Sequence, residues 1–295
     1  MDKKVSIVII AKEYDKGTIQ RIKYWKNQNY NKKEILLVTP NNKIKIKDVK
    51  IIKDLKKGPS YARNLGVKTS KGQIIVFSDS DENAKFINEK YFLSNIMYFF
   101  NNTNSVDYVL ANYLPYLSNN TLRNIINIKD FGVSDALNHL PEAYNKKIIG
   151  NNPFSSKLEY GEDKYLFEKI KKKSKNFGII KIPRLMDSNI ISFKLFFKRY
   201  IWYGKTIKKY MEKSWDLKPI INMVVGMVCS LFFLNSIFLS IMLLFILYKY
   251  IKQKNIFIYC LKKKALLAWL LAPIISIFSY IIIGIFFIKS LFFKC

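Results

Sequence analysis

The sequence predicts an α/β domain wound about a mainly parallel sheet, followed by helices that enter a membrane. Short, continuous apolar runs alternate with helical patterns through the first part of the chain, as buried parallel strands do. After Pro219 charge almost disappears from two long stretches, 220–248 and 265–288. Each exceeds what one buried core helix needs and reaches the roughly 20 residues of a bilayer span.

Taken in order, 5–10 reads as the first strand, followed by a polar loop and a helical pattern at 19–25. Strand signals return at 34–39 and, briefly, at 49–52. Gly58-Pro59-Ser60 then breaks the chain, and 61–69 reads as a helix capped by Ser60. A strand at 74–77 completes the alternation of a doubly wound sheet, in which ligands gather at the carboxyl ends of strands. Beyond it, 88–101 looks helical and 108–117 strand-like, while the Asn-rich stretch 119–152 carries no legible pattern. Gly161-Glu162-Asp163 opens a helix over 164–173, and 178–182 is a last strand. Aromatic and basic residues share the amphipathic stretch 190–211, which suits either a membrane interface or packing beneath the preceding domain. The expected organisation is one domain over 1–218 and a membrane domain over 219–295.

The 295 residues carry a formal charge of +29, but the basic residues are scattered lysines without a nucleic-acid reader motif. No nucleic-acid partner is expected, and an anionic membrane surface is the fitting counter-charge. Cys229, Cys260 and Cys295 lie in or beside the apolar tail with neither metal-ligand spacing nor a disulfide framework, which agrees with a reducing, cytoplasmic setting. Residues 1–4 lead directly into the first strand, so no signal peptide is expected.

Asp79 and Asp81 stand one residue apart just past the strand at 74–77. Hard carboxylate oxygens at that spacing suit Mg²⁺ or Mn²⁺ and a diphosphate the ion would hold. Asp also favours turns and helix N-caps, so a solvated acidic turn is the plainer reading of the pair alone.

Four segments in order resemble the family-2 type of inverting glycosyltransferases with the GT-A fold. They are the strand at 5–10, Gly58-Pro59-Ser60-Tyr61-Ala62-Arg63-Asn64-Leu65-Gly66, the run from Lys71 to Asp81, and Gly161-Glu162-Asp163. The resemblance covers roughly residues 4–210, and the tail is similar to members that carry membrane helices after a GT-A catalytic domain. It implies a nucleotide-sugar donor, Asp81 as direct metal ligand with Asp79 beside it on the sugar or ribose side, and Asp163 as the base that deprotonates the acceptor. It further implies that Glu162 orients the site, Arg63 faces the diphosphate and Glu13 contacts the nucleotide base.

The chain departs from the family's pattern at Val38-Thr39-Pro40-Asn41, which replaces the usual acidic residue, and at Asp187 and Asn189, where many relatives place a metal-supporting His. The only histidine, His139, falls in the illegible stretch. A Gln-x-x-Arg-Trp signature is absent, which favours transfer of one sugar over processive synthesis, and the resemblance implies a hexosyltransferase. Anchoring by the apolar tail points to a membrane-bound acceptor, a lipid such as a polyprenyl phosphate or a lipid-linked glycan. The rival readings are an inactive glycosyltransferase-like membrane scaffold and a nucleotidyltransferase.

The stretch 220–248 fits one tilted span or a hairpin turning near Asn235-Ser236. The positive-inside tendency favours the hairpin, because it keeps the basic loop 249–264 in the cytoplasm with the catalytic domain. A span over 265–288 then completes a multi-pass protein of the cell membrane.

Overall fold

The computed structural model describes residues 2–41, 43–79, 90–103, 105–132, 136, 140–156, 158, 161–188, 190–214, 218–230 and 236–292. Its strands are β1 (Val5–Ile10), β2 (Lys33–Thr39), β3 (Val49–Lys53), β4 (Ile74–Asp79), β5 (Tyr108–Pro115), β6 (Ala143–Asn145) and β7 (Phe177–Met186). They form one sheet in the order β3-β2-β1-β4-β6-β5-β7. β1 runs parallel to both β2 and β4, and β2 parallel to β3, while β6 is antiparallel to β4 and β5. The apolar runs form strands because they are buried on both faces: Val5, Ile7, Val8, Leu36, Leu37, Ile74, Ile75 and Val76 have no exposed surface.

Compact packing divides the chain into two units, residues 1–112 with 135–184, and residues 113–134 with 185–295. In the first, α2 (Pro59–Thr69) and α6 (Glu162–Lys173) contribute Ala62, Val67, Leu166, Phe167 and Ile170 to a core with Val8, Leu36 and Ile75 of the sheet. Alternation sends Ile7, Ile9, Leu37 and Val76 to the opposite side. α1 (Lys16–Lys26) is capped by Asp15, which accepts from the Thr18 amide at 2.8 Å, and its buried Trp25 donates to the Ser78 hydroxyl at 2.9 Å. α3 (Phe92–Asn102) meets it where Phe92 lies 6.5 Å from the Trp25 ring.

Ser60 does not cap α2. Gly58 takes that place and Pro59 begins the helix, where its missing amide proton removes no helical bond. The Ser60 hydroxyl, released from capping, donates instead to the Leu158 carbonyl at 3.0 Å. The strand expected at 178–182 is longer, because β7 extends over ten residues. The stretch 119–152 holds α4 (Thr121–Phe131), β6 and the single turn α5 (Lys146–Ile149).

The second unit contains α4, α7 (Phe193–Ser214), α8 (Lys218–Ser230), α9 (Ser236–Lys252), α10 (Phe257–Lys262) and α11 (Leu266–Phe292). α11 packs on α4, α7 and α8. Ile125 and Ile128 of α4 share an apolar cluster with Ile256, Cys260, Ala265, Ala268 and Ala272. Buried charge in this unit is matched locally. Lys129 donates to Asp130 at 3.0 Å and to the Tyr200 hydroxyl at 2.7 Å, and Arg199 lies 3.4 Å from Asp130. Burial would push the Asp130 carboxyl up, but Lys129 and Arg199 outweigh it and hold it below its usual range.

α8 and α9 have 13 and 17 residues, rises of about 20 and 26 Å at 1.5 Å per residue, each short of a hydrocarbon core about 30 Å thick. Among the described residues one helix is long and apolar enough to cross a bilayer, Leu266–Ser290 within α11, with mean hydropathy 2.5. Only 39% of its most apolar window is buried inside the protein, whereas a soluble core helix is mostly covered.

The contact of α2 on β1 depends on Gly66, where an added Cβ would lie 2.2 Å from Cγ1 of the fully buried Val8. Gly66→Ala should therefore destabilise the first unit by about 1–3 kcal/mol, read as a lower denaturant midpoint. An unchanged midpoint would contradict that packing.

Candidate active site

β1 leads the chain outward to β2 and β3, and β4 returns it to the other flank of β1. The direction of winding thus reverses between β1 and β4, and a crevice belongs at their carboxyl ends. Ile10 and Asp79 are register partners at that end. Asp79 is the last residue of β4, and its side chain is 38% exposed. Glu13 lies on the loop after β1 and is exposed, while its carbonyl accepts from the Thr18 hydroxyl at 2.9 Å.

Arg63, from α2, organises the charged groups at this end of the sheet. Its Nη2 donates to both Asp79 oxygens at 2.9 Å, and its Nη1 donates to Glu162. The side chain is 8% exposed, and the Phe154 ring centroid lies 5.4 Å from the guanidinium carbon. Phe77 meets Phe154 edge-on at 4.9 Å and lies 5.9 Å from Tyr144, so the ring beside the guanidinium is held by further aromatics. Burial alone would loosen the Arg63 proton, but Asp79 and Glu162 reverse that and hold it more firmly than usual. The guanidinium, expected to face a diphosphate, joins the end of β4 to the start of α6.

Gly161 precedes α6 with φ of 69°, a left-handed conformation that glycine adopts without steric cost. Glu162 and Asp163 therefore occupy the first turn, where the helix dipole favours negative charge. The Lys164 amide donates to Asp163 Oδ1 at 2.6 Å, giving that carboxylate a fixed aim. Burial pushes the Asp163 carboxyl up from 3.8, against the pull of Arg63, and the negative charge of Asp79 adds to the rise. Glu162 is raised as well, first by burial, with Arg63 opposing and Asp163 adding. The Tyr144 hydroxyl is pushed up by burial and then by Asp163.

The structure thus brings together Arg63, Asp79, Glu162 and Asp163. Asp81, His139 and Asn189 lie outside the described residues. Asp187 is buried in the second unit, where it accepts from Arg123 Nε at 3.0 Å and Asn127 Nδ2 at 3.1 Å. Its charge is committed to Arg123. Among the described residues no three His, Cys, Asp or Glu side chains gather as metal ligands. Asp79 nonetheless fits a hard divalent cation, because it is partly exposed and its oxygens keep lone pairs beyond those that Arg63 uses. Sequence reasoning passed over Asn64, Tyr144 and Phe154. Only the Asn64 position, one turn after Ser60 on the same helix face, offered any signal.

No protein-family model matches the sequence, and no curated protein matches it. Among solved structures, a mannosyltransferase from Pyrobaculum calidifontis, in complex with GDP-Man and Mn²⁺, aligns with a TM-score of 0.52. The alignment covers 94% of this chain and 88% of that one at 10% identity. This is the GT-A fold. At such identity the likeness establishes the fold alone. Residues 1–349 of S. aureus TarS align at a TM-score of 0.49 and 16% identity, over 97% of this chain and 92% of that one. Against a longer TarS chain the TM-score is 0.45 at 16% identity, over 68% of this chain and 39% of that one.

Arg63→Met should leave buried carboxylates without a counter-charge and cost about 3–5 kcal/mol of stability. Glu162 and Asp163, already raised, would rise further, because the group that lowers them is gone. A carboxyl raised in the folded state supports folding while protonated and loses that support as pH climbs through its folded pKa. Denaturation should therefore show a smaller loss at about pH 5 than at about pH 8, and a pH-independent loss would refute the pairing.

Proposed function

We propose that this protein is a membrane-anchored, inverting glycosyltransferase that moves one sugar, a hexose, from a nucleotide-sugar donor to a membrane-associated acceptor. The observation that carries the reading is the joining of Asp79, at the carboxyl end of β4, to Glu162 beside Asp163 through Arg63. A donor-side carboxylate and an acceptor-side base are thereby linked at the switch point of a GT-A sheet. The shared fold of a mannosyltransferase seen with GDP-Man and Mn²⁺ supports the same donor class.

Asp163 acts as general base. Its raised pKa brings it nearer the working pH, where a base combines availability with proton affinity. The acceptor hydroxyl gives its proton to the Asp163 carboxylate as its oxygen bonds to the anomeric carbon. The bond from that carbon to the phosphate oxygen breaks on the opposite face, and the electron pair leaves with the nucleoside diphosphate. Arg63 and Glu162 fix the base relative to Asp79, and the ring of Phe154 limits water near the ion pairs. Mg²⁺ or Mn²⁺, held by Asp81 with Asp79 beside it, would neutralise charge on the leaving diphosphate. Glu13, exposed on the loop after β1, would contact the nucleotide base.

The apolar α11 supports anchoring, and the basic segment before it supports a cytoplasmic catalytic unit facing an anionic surface, with 220–248 entering as a hairpin. Anchoring favours a polyprenyl phosphate or a lipid-linked glycan as acceptor.

Membranes containing the protein, incubated with labelled nucleotide sugars and Mn²⁺ or Mg²⁺, should pass label from one donor into the lipid extract. Asp163→Asn should lower that transfer by about 100- to 10,000-fold. Failure of every donor with folded protein would refute the function, and full activity of Asp163→Asn would refute the base.

A further inference from the structure

We propose that Ser60 and Asn64, together with Arg63, form a three-point latch that holds the segment 154–163, making Asn64 a positioning residue for the transfer reaction. The inference rests on the function proposed above and names a further residue on which that site depends.

The three side chains stand at positions i, i+3 and i+4 of α2, and so share one helix face. Each grips a different point of one segment. Ser60 donates to the Leu158 carbonyl at 3.0 Å, Arg63 pairs with Glu162, and Asn64 binds Phe154 twice. In that double bond Asn64 Nδ2 donates to the Phe154 carbonyl at 2.8 Å, while the Phe154 amide donates to Asn64 Oδ1 at 2.9 Å. Only a short side-chain amide offers a donor and an acceptor in that geometry. Asp can accept but not donate, and Ala can do neither.

Among the described residues between α5 and α6 none joins a strand or helix ladder, yet the segment leads directly into the residue proposed as base. Connecting segments are ordinarily the mobile parts of a fold, and a displacement of about 1 Å at a reacting group can cost about 100-fold in rate. Phe154 also supplies the ring over Arg63 and the edge contact to Phe77. Asn64 therefore fixes the base-bearing segment and the ring beside the guanidinium from a single point. The donor-side residues Asp79 and Glu13 make no hydrogen bond to Asn64 among those described, so loosening the latch should alter turnover rather than donor binding.

The test compares wild type, Asn64→Ala, Asn64→Asp, Ser60→Ala and the double variant Ser60→Ala with Asn64→Ala, each as the whole chain in lipid vesicles with the active donor. Asn64→Ala should lower kcat by about 10- to 100-fold while the donor KM moves by less than about threefold. Asn64→Asp, which keeps one of the two bonds, should fall between Asn64→Ala and wild type. Ser60→Ala should cost less than Asn64→Ala, and the double variant less than the product of the two, because both act on one segment. An unchanged kcat in Asn64→Ala, or kcat and KM shifting in step with the fraction unfolded, would overturn the latch.

Hydrogen–deuterium exchange on the same proteins separates this inference from the function beneath it. Faster exchange across residues 150–163 in Asn64→Ala, with β4 unaltered, is the expected result. Unaltered exchange there would overturn the latch. A wild type that moves no sugar from any donor would refute the proposed function, and exchange would still decide the latch.

Discussion

The ion pairs of Arg63 are the interaction on which the rest of the site depends. A guanidinium this buried is tolerated only when its charge is answered nearby, and Asp79 and Glu162 answer it from two different elements. Asp163 adds a third negative charge to the same field. One cation against those carboxylates leaves the site net negative, the electrostatic condition in which a divalent ion can bind and carry a diphosphate with it. The same shortage of positive charge, added to burial, raises Glu162 and Asp163. In the proposed reaction, binding of a donor and activation of an acceptor would draw on one charge arrangement.

Much of the sheet was legible because burial on both faces of parallel strands writes itself into the sequence as unbroken apolar runs. β1, β2 and β4 fall where those runs fall, and the excess of charge-free sequence after Pro219 marks α11. The stretch 119–152 was illegible for a physical reason. Asparagine reads as loop by propensity, yet Asn124 and Asn127 are buried in α4, where their amides bond to the carbonyls of Ser118 and Tyr116 at 2.7 Å. Tertiary partners overrode local preference.

In the site, sequence supplied residue types and order but not partners. Arg63 lies 16 residues from Asp79 and 99 from Glu162, separations that no local pattern encodes. Its role as a bridge between carboxylates follows from those long-range pairings. Ser60 shows the same limit, since the capping preference of serine was met by Gly58 and Pro59 and its hydroxyl became free to hold Leu158. Asp187, which stands where many relatives of the resembled family place a His, has its charge taken by Arg123, a partner in α4 where no helix was legible.

Arg63 couples the end of β4 to the start of α6, and that coupling can be measured. A triple-mutant cycle tests it most directly, with Asp79→Asn and Glu162→Gln made singly and together in wild-type and Arg63→Met backgrounds, and unfolding free energies measured by denaturant. With Arg63 present, removing both carboxylates should cost at least about 1 kcal/mol more than the sum of removing each, and the excess should vanish in Arg63→Met. Additive losses in the wild-type background, or an excess that survives without Arg63, would contradict the account.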